Sequence, residues 1–103
     1  MSERSSVLKA RMKALTKKYS WEIIADLMSG KKNLTQVSED NIIPYATIQK
    51  RIAELEAAGL VSMSDELDDR TGRPVKAARV EEVRIEVDPE KILNIVRKER
   101  GTS

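Results

Sequence analysis

Apolar positions along this chain recur at two periods, and the change from one to the other divides it. In the leading part the spacing is three or four residues, the repeat of one helix face. Leu8, Met12 and Leu15 share such a stripe and predict a first helix starting near Ser5 or Ser6, either of which can cap it. Ser20 reads as the cap of a second helix in which Trp21, Ile24, Leu27 and Met28 point inward and which Gly30 ends. Thr35 caps a short third helix, Gln36 to about Asp40, with Val37 as its inward residue and Asn41 as the turn that follows. Ile42 and Ile43 then fill the corner, and Pro44 suits the first turn of a fourth helix because its missing N–H has no partner to lose there. Ile48, Ile52 and Leu55 form the stripe of that helix, and Gly59 stops it as a left-handed cap.

Beyond Gly59 the period falls to two. Leu60 to Ser64 reads as one strand and Val75 to Val87 as its antiparallel partner, with Val83, Ile85 and Val87 alternating with Arg84 and Glu86. Val80 has the opposite parity from Val83, which calls for a bulge near Glu81-Glu82 or a strand that stops and restarts there. Asp88-Pro89 opens a last helix with Ile92, Ile95 and Val96 on its apolar stripe. The order is therefore four helices, two strands and a helix, an α+β fold that is mostly α.

At 103 residues and 40% hydrophobic content the chain can bury one compact core, so a single domain over 1–103 is expected. It has neither cysteine nor histidine. Disulfides, thiol nucleophiles, the usual zinc sites and the commonest general base at neutral pH are thereby removed, and the chain is expected not to be an enzyme and to need no cofactor or metal. No apolar run reaches membrane-spanning length and the leading Met-Ser-Glu-Arg-Ser-Ser is too polar for a signal peptide, so no membrane partner and a cytoplasmic location are expected.

The net charge of +2 conceals a division along the chain. Residues 1–18 hold six bases (Arg4, Lys9, Arg11, Lys13, Lys17, Lys18) against Glu3, whereas Asp65, Glu66, Asp68 and Asp69 form an acidic run. A basic leading segment fits a phosphate-facing surface as well as a solvated helix face. The acids have three readings: they point away from such a surface, pair with Arg70 or Lys76, or meet another protein.

With Ile48, Ile52 and Leu55 turned in, the fourth helix shows outward Ala46, Lys50, Ala53 and Ala57, with Thr47 and Gln49 on the flanks. Small side chains let a helix sit deep in a major groove, and hydrogen-bonding readout then falls to Thr47, Gln49 and Lys50, with Tyr45 at the amino-terminal edge. A core helix with a bland outer face carries the same pattern. The hairpin adds Arg70, Arg73 and Lys76 around Gly72 and Pro74, three cations that a purely structural turn does not need. Arg73 is placed to enter a narrow A/T-rich minor groove and Lys76 to hold a phosphate.

On these residues the chain resembles a known superfamily. Leu34 to Val61 resembles the helix-turn-helix of ArsR-, MarR- and PadR-type transcription regulators. Arg70-Thr-Gly-Arg-Pro-Val-Lys76 is similar to the Gly-Arg-Pro-x-Lys wing of many of them, archaeal ones especially, and the likeness runs from about Leu8 to Val96. The resemblance implies a winged helix-turn-helix with a two-stranded wing hairpin and amphipathic amino- and carboxy-terminal helices. Its parts would be a helix-turn-helix at about 34–58, a wing at about 60–87 and a last helix at about 89–99. It also implies a nucleoid-associated, homodimeric repressor that binds double-stranded DNA, with Leu8, Met12, Ile92, Ile95 and Val96 as candidate dimer contacts that serve a monomer core equally well. Nothing in the sequence singles out a small-molecule effector. Two other readings remain open: an abundant architectural, chromatin-like DNA-binding protein, and a winged helix of the transcription machinery that binds protein.

Overall fold

The computed structural model describes residues 2–101, with side chains from Ser6 onward. The side chains of Glu3, Arg4 and Ser5 in the leading segment lie outside that description. The described chain runs α1 (Ser2–Leu15), α2 (Ser20–Leu27), β1 (Lys32–Asn33), α3 (Leu34–Asn41), α4 (Tyr45–Ala57), β2 (Val61–Leu67), β3 (Pro74–Val80) and α5 (Pro89–Glu99). β3 is the central strand of an antiparallel sheet ordered β1-β3-β2.

The core lies where α2, α3 and α4 meet the sheet. Ile23, Leu27, Leu34, Val37, Ile43, Ile48, Ile52, Leu55, Leu60 and Val61 are buried there, joined by Ala14 from α1 and Ala78 from β3. Small residues at Ala77 and Ala78, 3% and 1% exposed, let the central strand lie close under the helices. α4 ends as expected. Gly59, at φ +75°, brings its own N–H to Glu56 O at 2.9 Å and Leu60 N–H to Leu55 O at 2.9 Å, so the apolar Leu60 folds back on Leu55. Arg11 completes that end by donating Nε–H to Ala58 O at 3.1 Å, a cation against helix carbonyls.

Several expectations need correction. α1 starts before Ser5, and its fully buried residue is Ala14, with Leu8 and Leu15 half-buried and Met12 38% exposed. α2 is capped by Tyr19 in the left-handed region (φ 74°), which makes Ser20 the first helical residue and turns it inward. The buried line is thus Ser20, Ile23 and Leu27, and Trp21 is rotated about 100° off it by the helical repeat. Trp21 is 72% and Met28 68% exposed, neither in the core. α3 starts before Thr35, because Asn33 is its cap and accepts from Gln36 N–H at 2.7 Å. Asn41 ends α3 without supplying the turn; its side-chain amide donates to Val37 O at 2.9 Å and Asp26 Oδ2 at 3.0 Å. The reversal falls to Ile42, at φ +54° and 92% exposed, so only Ile43 enters the corner.

The strands differ as well. β2 runs on to Leu67, and the pairing from Val61↔Val80 to Leu67↔Pro74 is continuous without a bulge. β3 stops at Val80 because its partner runs out: the chain before Val61 belongs to the cap of α4, and the last bond is Glu81 N–H to Leu60 O at 3.0 Å. Residues 81–88 do not restart as a strand, and of the alternating side chains Ile85 packs on the core while Val83 and Val87 are 38% and 41% exposed. β1 was not foreseen, since two polar residues carry no periodic signal. It pairs by backbone, Lys32↔Ala78 and Asn33↔Ala77, and Lys32 is fixed by Asp26 Oδ1 at 2.5 Å and Asp40 Oδ2 at 3.3 Å. The Asp26 bond, foremost, raises the Lys32 pKa above its ordinary value.

Asp88 caps α5 as its sequence implies, accepting from Lys91 N–H at 2.9 Å with Pro89 in the first turn. α5 packs along α1, where Lys9 pairs with Glu99. The molecule is elongated, 56 × 22 × 22 Å. Its radius of gyration of 16.1 Å exceeds the roughly 13 Å of a compact chain this long.

Candidate nucleic-acid interface

α4 is held from below by Ile48, Ile52 and Leu55, each fully buried, and this fixes which side chains face out. Ala46, Gln49, Lys50, Ala53 and Ala57 are exposed, Tyr45 is 40% exposed, and Thr47 is half-buried. Lys50 has no ion partner among the described residues. Arg51, one residue on, is committed to the fold: Nε–H donates to Lys18 O at 2.8 Å and a terminal nitrogen to Glu54 at 2.7 Å.

The hairpin is closed at its tip by its own backbone. Asp68 N–H donates to Arg73 O at 2.8 Å and Gly72 N–H, at φ +70°, to Asp68 O at 2.7 Å. The Asp68 carboxylate accepts from Arg70 N–H at 2.8 Å, and Thr71 Oγ1 from Arg73 N–H at 3.2 Å. Arg70 and Arg73 are both exposed at this tip.

The acidic run is divided among different tasks. Asp65 binds Lys76 at 2.7 Å, one of the pairings expected for it. That hydrogen bond, foremost, holds the Lys76 ammonium above its ordinary pKa. Glu66 pairs instead with Lys31 and accepts from Ser64 Oγ at 2.9 Å, and Lys31, foremost, pulls its carboxyl below the usual range. Asp68 caps the tip. Asp69 stays exposed and shares a groove of about 420 Å³ with Glu39 and Asp40 of α3, with Arg70 on its rim. The Lys76–Asp65 pair is 55% and 79% exposed, so water screens it and it adds little to the fold.

The structure does not gather the expected contact residues into one cluster. Tyr45 and Lys76 line one cleft of about 250 Å³ between the start of α4 and the hairpin, together with Thr35 and Pro74. Arg70 turns toward α3. Gln49 and Lys50 sit farther along the outward face of α4, and Arg73 stands at the tip. In the leading segment Arg11 and Lys9 serve helix packing, whereas Lys13 and Lys17 are exposed with no ion partner among the described residues. Of the candidate dimer residues, Ile92 is 52% and Met12 38% exposed. Leu8, Ile95 and Val96 are half-buried along the α1–α5 contact. Left-handed Ile42 at the turn before α4 carries no local sequence signal beyond the absence of glycine between Glu39 and Pro44.

Two helices joined by a tight turn, the second with a free polar face, followed by a hairpin with a glycine tip, define a winged helix-turn-helix. No protein-family model matches the chain, and no curated protein matches it in sequence. A solved structure from Methanosarcina mazei Go1, described as a "possible transcriptional regulator", superposes with a TM-score of 0.55 at 16% identity. The match covers 90% of this chain and 72% of that one, a likeness of fold.

Proposed function

We propose that the chain is a sequence-specific double-stranded DNA-binding transcription regulator, a single winged-helix domain that acts as a dimeric repressor by occupying a promoter. The observation that carries this reading is the set of cations without ion partners. Lys50 on the outward face of α4 and Arg73 at the hairpin tip lie on the two elements that a winged helix applies to DNA, whereas Lys9, Arg11, Lys31, Lys32 and Arg51 are tied to acids or carbonyls of the fold. Gln49 and Lys50 would read base edges, with Thr47 at the flank. Arg73 would enter the minor groove, Lys76 would exchange Asp65 for phosphate, and Tyr45 and Arg70 would contact the backbone. The Methanosarcina mazei neighbour's description is in keeping with this role. In a two-fold dimer through Leu8, Met12, Ile92, Ile95 and Val96 the two α4 helices would reach successive major grooves about 34 Å apart.

The exposed methyl groups of Ala46, Ala53 and Ala57 favour a second reading, an architectural protein with little sequence preference. Fluorescence anisotropy on the chain's own upstream DNA and on a scrambled duplex, across a salt series, separates the two. A steep salt slope with preference for the upstream DNA is the expected result, equal binding points to the architectural role, and no binding to either sinks the DNA reading. Arg73→Ala should weaken binding by about 1–3 kcal/mol with the melting temperature unchanged; parent-like affinity would remove the wing from the interface.

A further inference from the structure

The ends of α3 and α4 share one hydrogen-bond pattern. At the end of α4, Gly59 N–H reaches Glu56 O and Leu60 N–H reaches Leu55 O, both at 2.9 Å. At the end of α3, Ile42 N–H reaches Glu39 O at 3.4 Å and Ile43 N–H reaches Ser38 O at 3.1 Å. Each is a C-terminal cap with one left-handed residue, followed by an apolar residue that folds back onto the helix. At the α4 end that residue is glycine, at φ +75°; at the α3 end it is isoleucine, at φ +54°.

A branched side chain is strongly disfavoured in the left-handed region, where glycine or asparagine sits freely. Packing can compensate, as it does for Tyr19 at φ 74°, which is half-buried against the core with the Lys18 ammonium 4.9 Å over its ring. Ile42 receives no such return. It is 92% exposed, the highest value among the large apolar side chains described, and the adjacent Ile43 is 3% exposed. The same backbone reversal that buries Ile43 aims Ile42 outward. The fold alone would be better served by glycine on both counts, strain and exposed apolar surface.

The place of Ile42 suggests what it meets. It lies three residues ahead of Tyr45, and the exposed residues Ile42, Pro44, Tyr45 and Ala46 lead into the amino end of α4 without a charge among them. Recognition helices present that end to base edges. The apolar group on a major-groove edge is the thymine 5-methyl, and a side chain with no hydrogen bond to offer can read it. We propose that Ile42 is a DNA-contacting residue that reads a thymine methyl at the edge of the major groove; this rests on α4 being the recognition helix.

The experiment uses the full chain and the duplex it selects from a randomised library, alongside the same duplex with deoxyuridine in place of thymidine. Ile42→Gly and Ile42→Asn should melt at or above the parent and bind the thymidine duplex on the order of tenfold more weakly. The parent should bind the deoxyuridine duplex about fourfold more weakly than the thymidine one, the worth of a lost methyl contact, whereas the variants should bind both alike. Parent-like affinity in the variants overturns the inference and turns the exposed side chain toward a protein partner. Variants that melt below the parent also overturn it, since Ile42 would then be holding the turn. If the parent selects no duplex, the DNA reading itself fails before any variant is made, and this inference falls with it.

Discussion

α4 and α5 are helices of similar length, 13 and 11 residues, each with an apolar stripe at helical spacing, yet the fold treats the stripes differently. Ile48, Ile52 and Leu55 of α4 are all fully buried, because α1, α2, α3 and β2 close around them. α5 buries none of its residues fully; it rests along α1, leaving Ile92 52% and Leu93 46% exposed. An apolar stripe therefore tells which face of a helix avoids water without telling whether the covering surface belongs to the same chain. α4 obtains its cover from neighbours in the fold, and α5 shows a face that the proposed dimer would use.

The largest effect expected from this contrast is at the centre of α4. Ile52→Ala removes a fully buried side chain and should lower global stability by about 2–5 kcal/mol, measured by urea unfolding. A loss well below that range would mean that the packing under α4 is loose and that the two helices differ less than their burial implies.

A smaller effect is expected at the start of α5. Asp88→Ala deletes the carboxylate that accepts from Lys91 N–H at 2.9 Å and should cost about 1 kcal/mol. Because α5 is held mainly along α1, the change should appear in hydrogen exchange as faster amide exchange confined to residues 89–99, with the core amides unaffected. Faster exchange throughout the core would tie α5 to the cooperative unit of α4 and erase the distinction.

The smallest effect on the fold belongs to Ile92. Ile92→Ser should change stability by no more than about 0.5 kcal/mol, as at other exposed positions, while shifting the sedimentation coefficient from dimer to monomer. If the variant keeps the parent's oligomeric state, the α5 stripe is not the dimer contact.

Much of the backbone plan was legible because its signals are local. Gly59 had to end α4, since a left-handed position was needed there, and Asp88-Pro89 had to open α5, since cap and first-turn chemistry act over three residues. The same locality explains the failures. Trp21 shares helical spacing with Ile24 and Met28, but the fold sets Ser20, Ile23 and Leu27 against the core, so Ile24 packs at its edge while Trp21 and Met28 are left exposed. β1 is invisible because its two residues pair through backbone with a strand more than 40 positions away, Lys32 with Ala78.

The outward side chains of α4 were legible for the same reason as its core, since fixing Ile48, Ile52 and Leu55 inward fixes Gln49 and Lys50 outward. Which cations remain available was not. Arg11 and Arg73 are equal as letters, but one caps a helix end by donating to Ala58 O and the other stands in solvent. Sequence by itself determined the periodicity, the stops and the order of elements, because these arise from backbone geometry within a few residues. The tertiary structure alone decided which stripe was covered, where the strand ran out of partner, which acid met Lys76 and which of two adjacent isoleucines entered the core. Each of those depends on groups that meet only when distant parts of the chain are packed together.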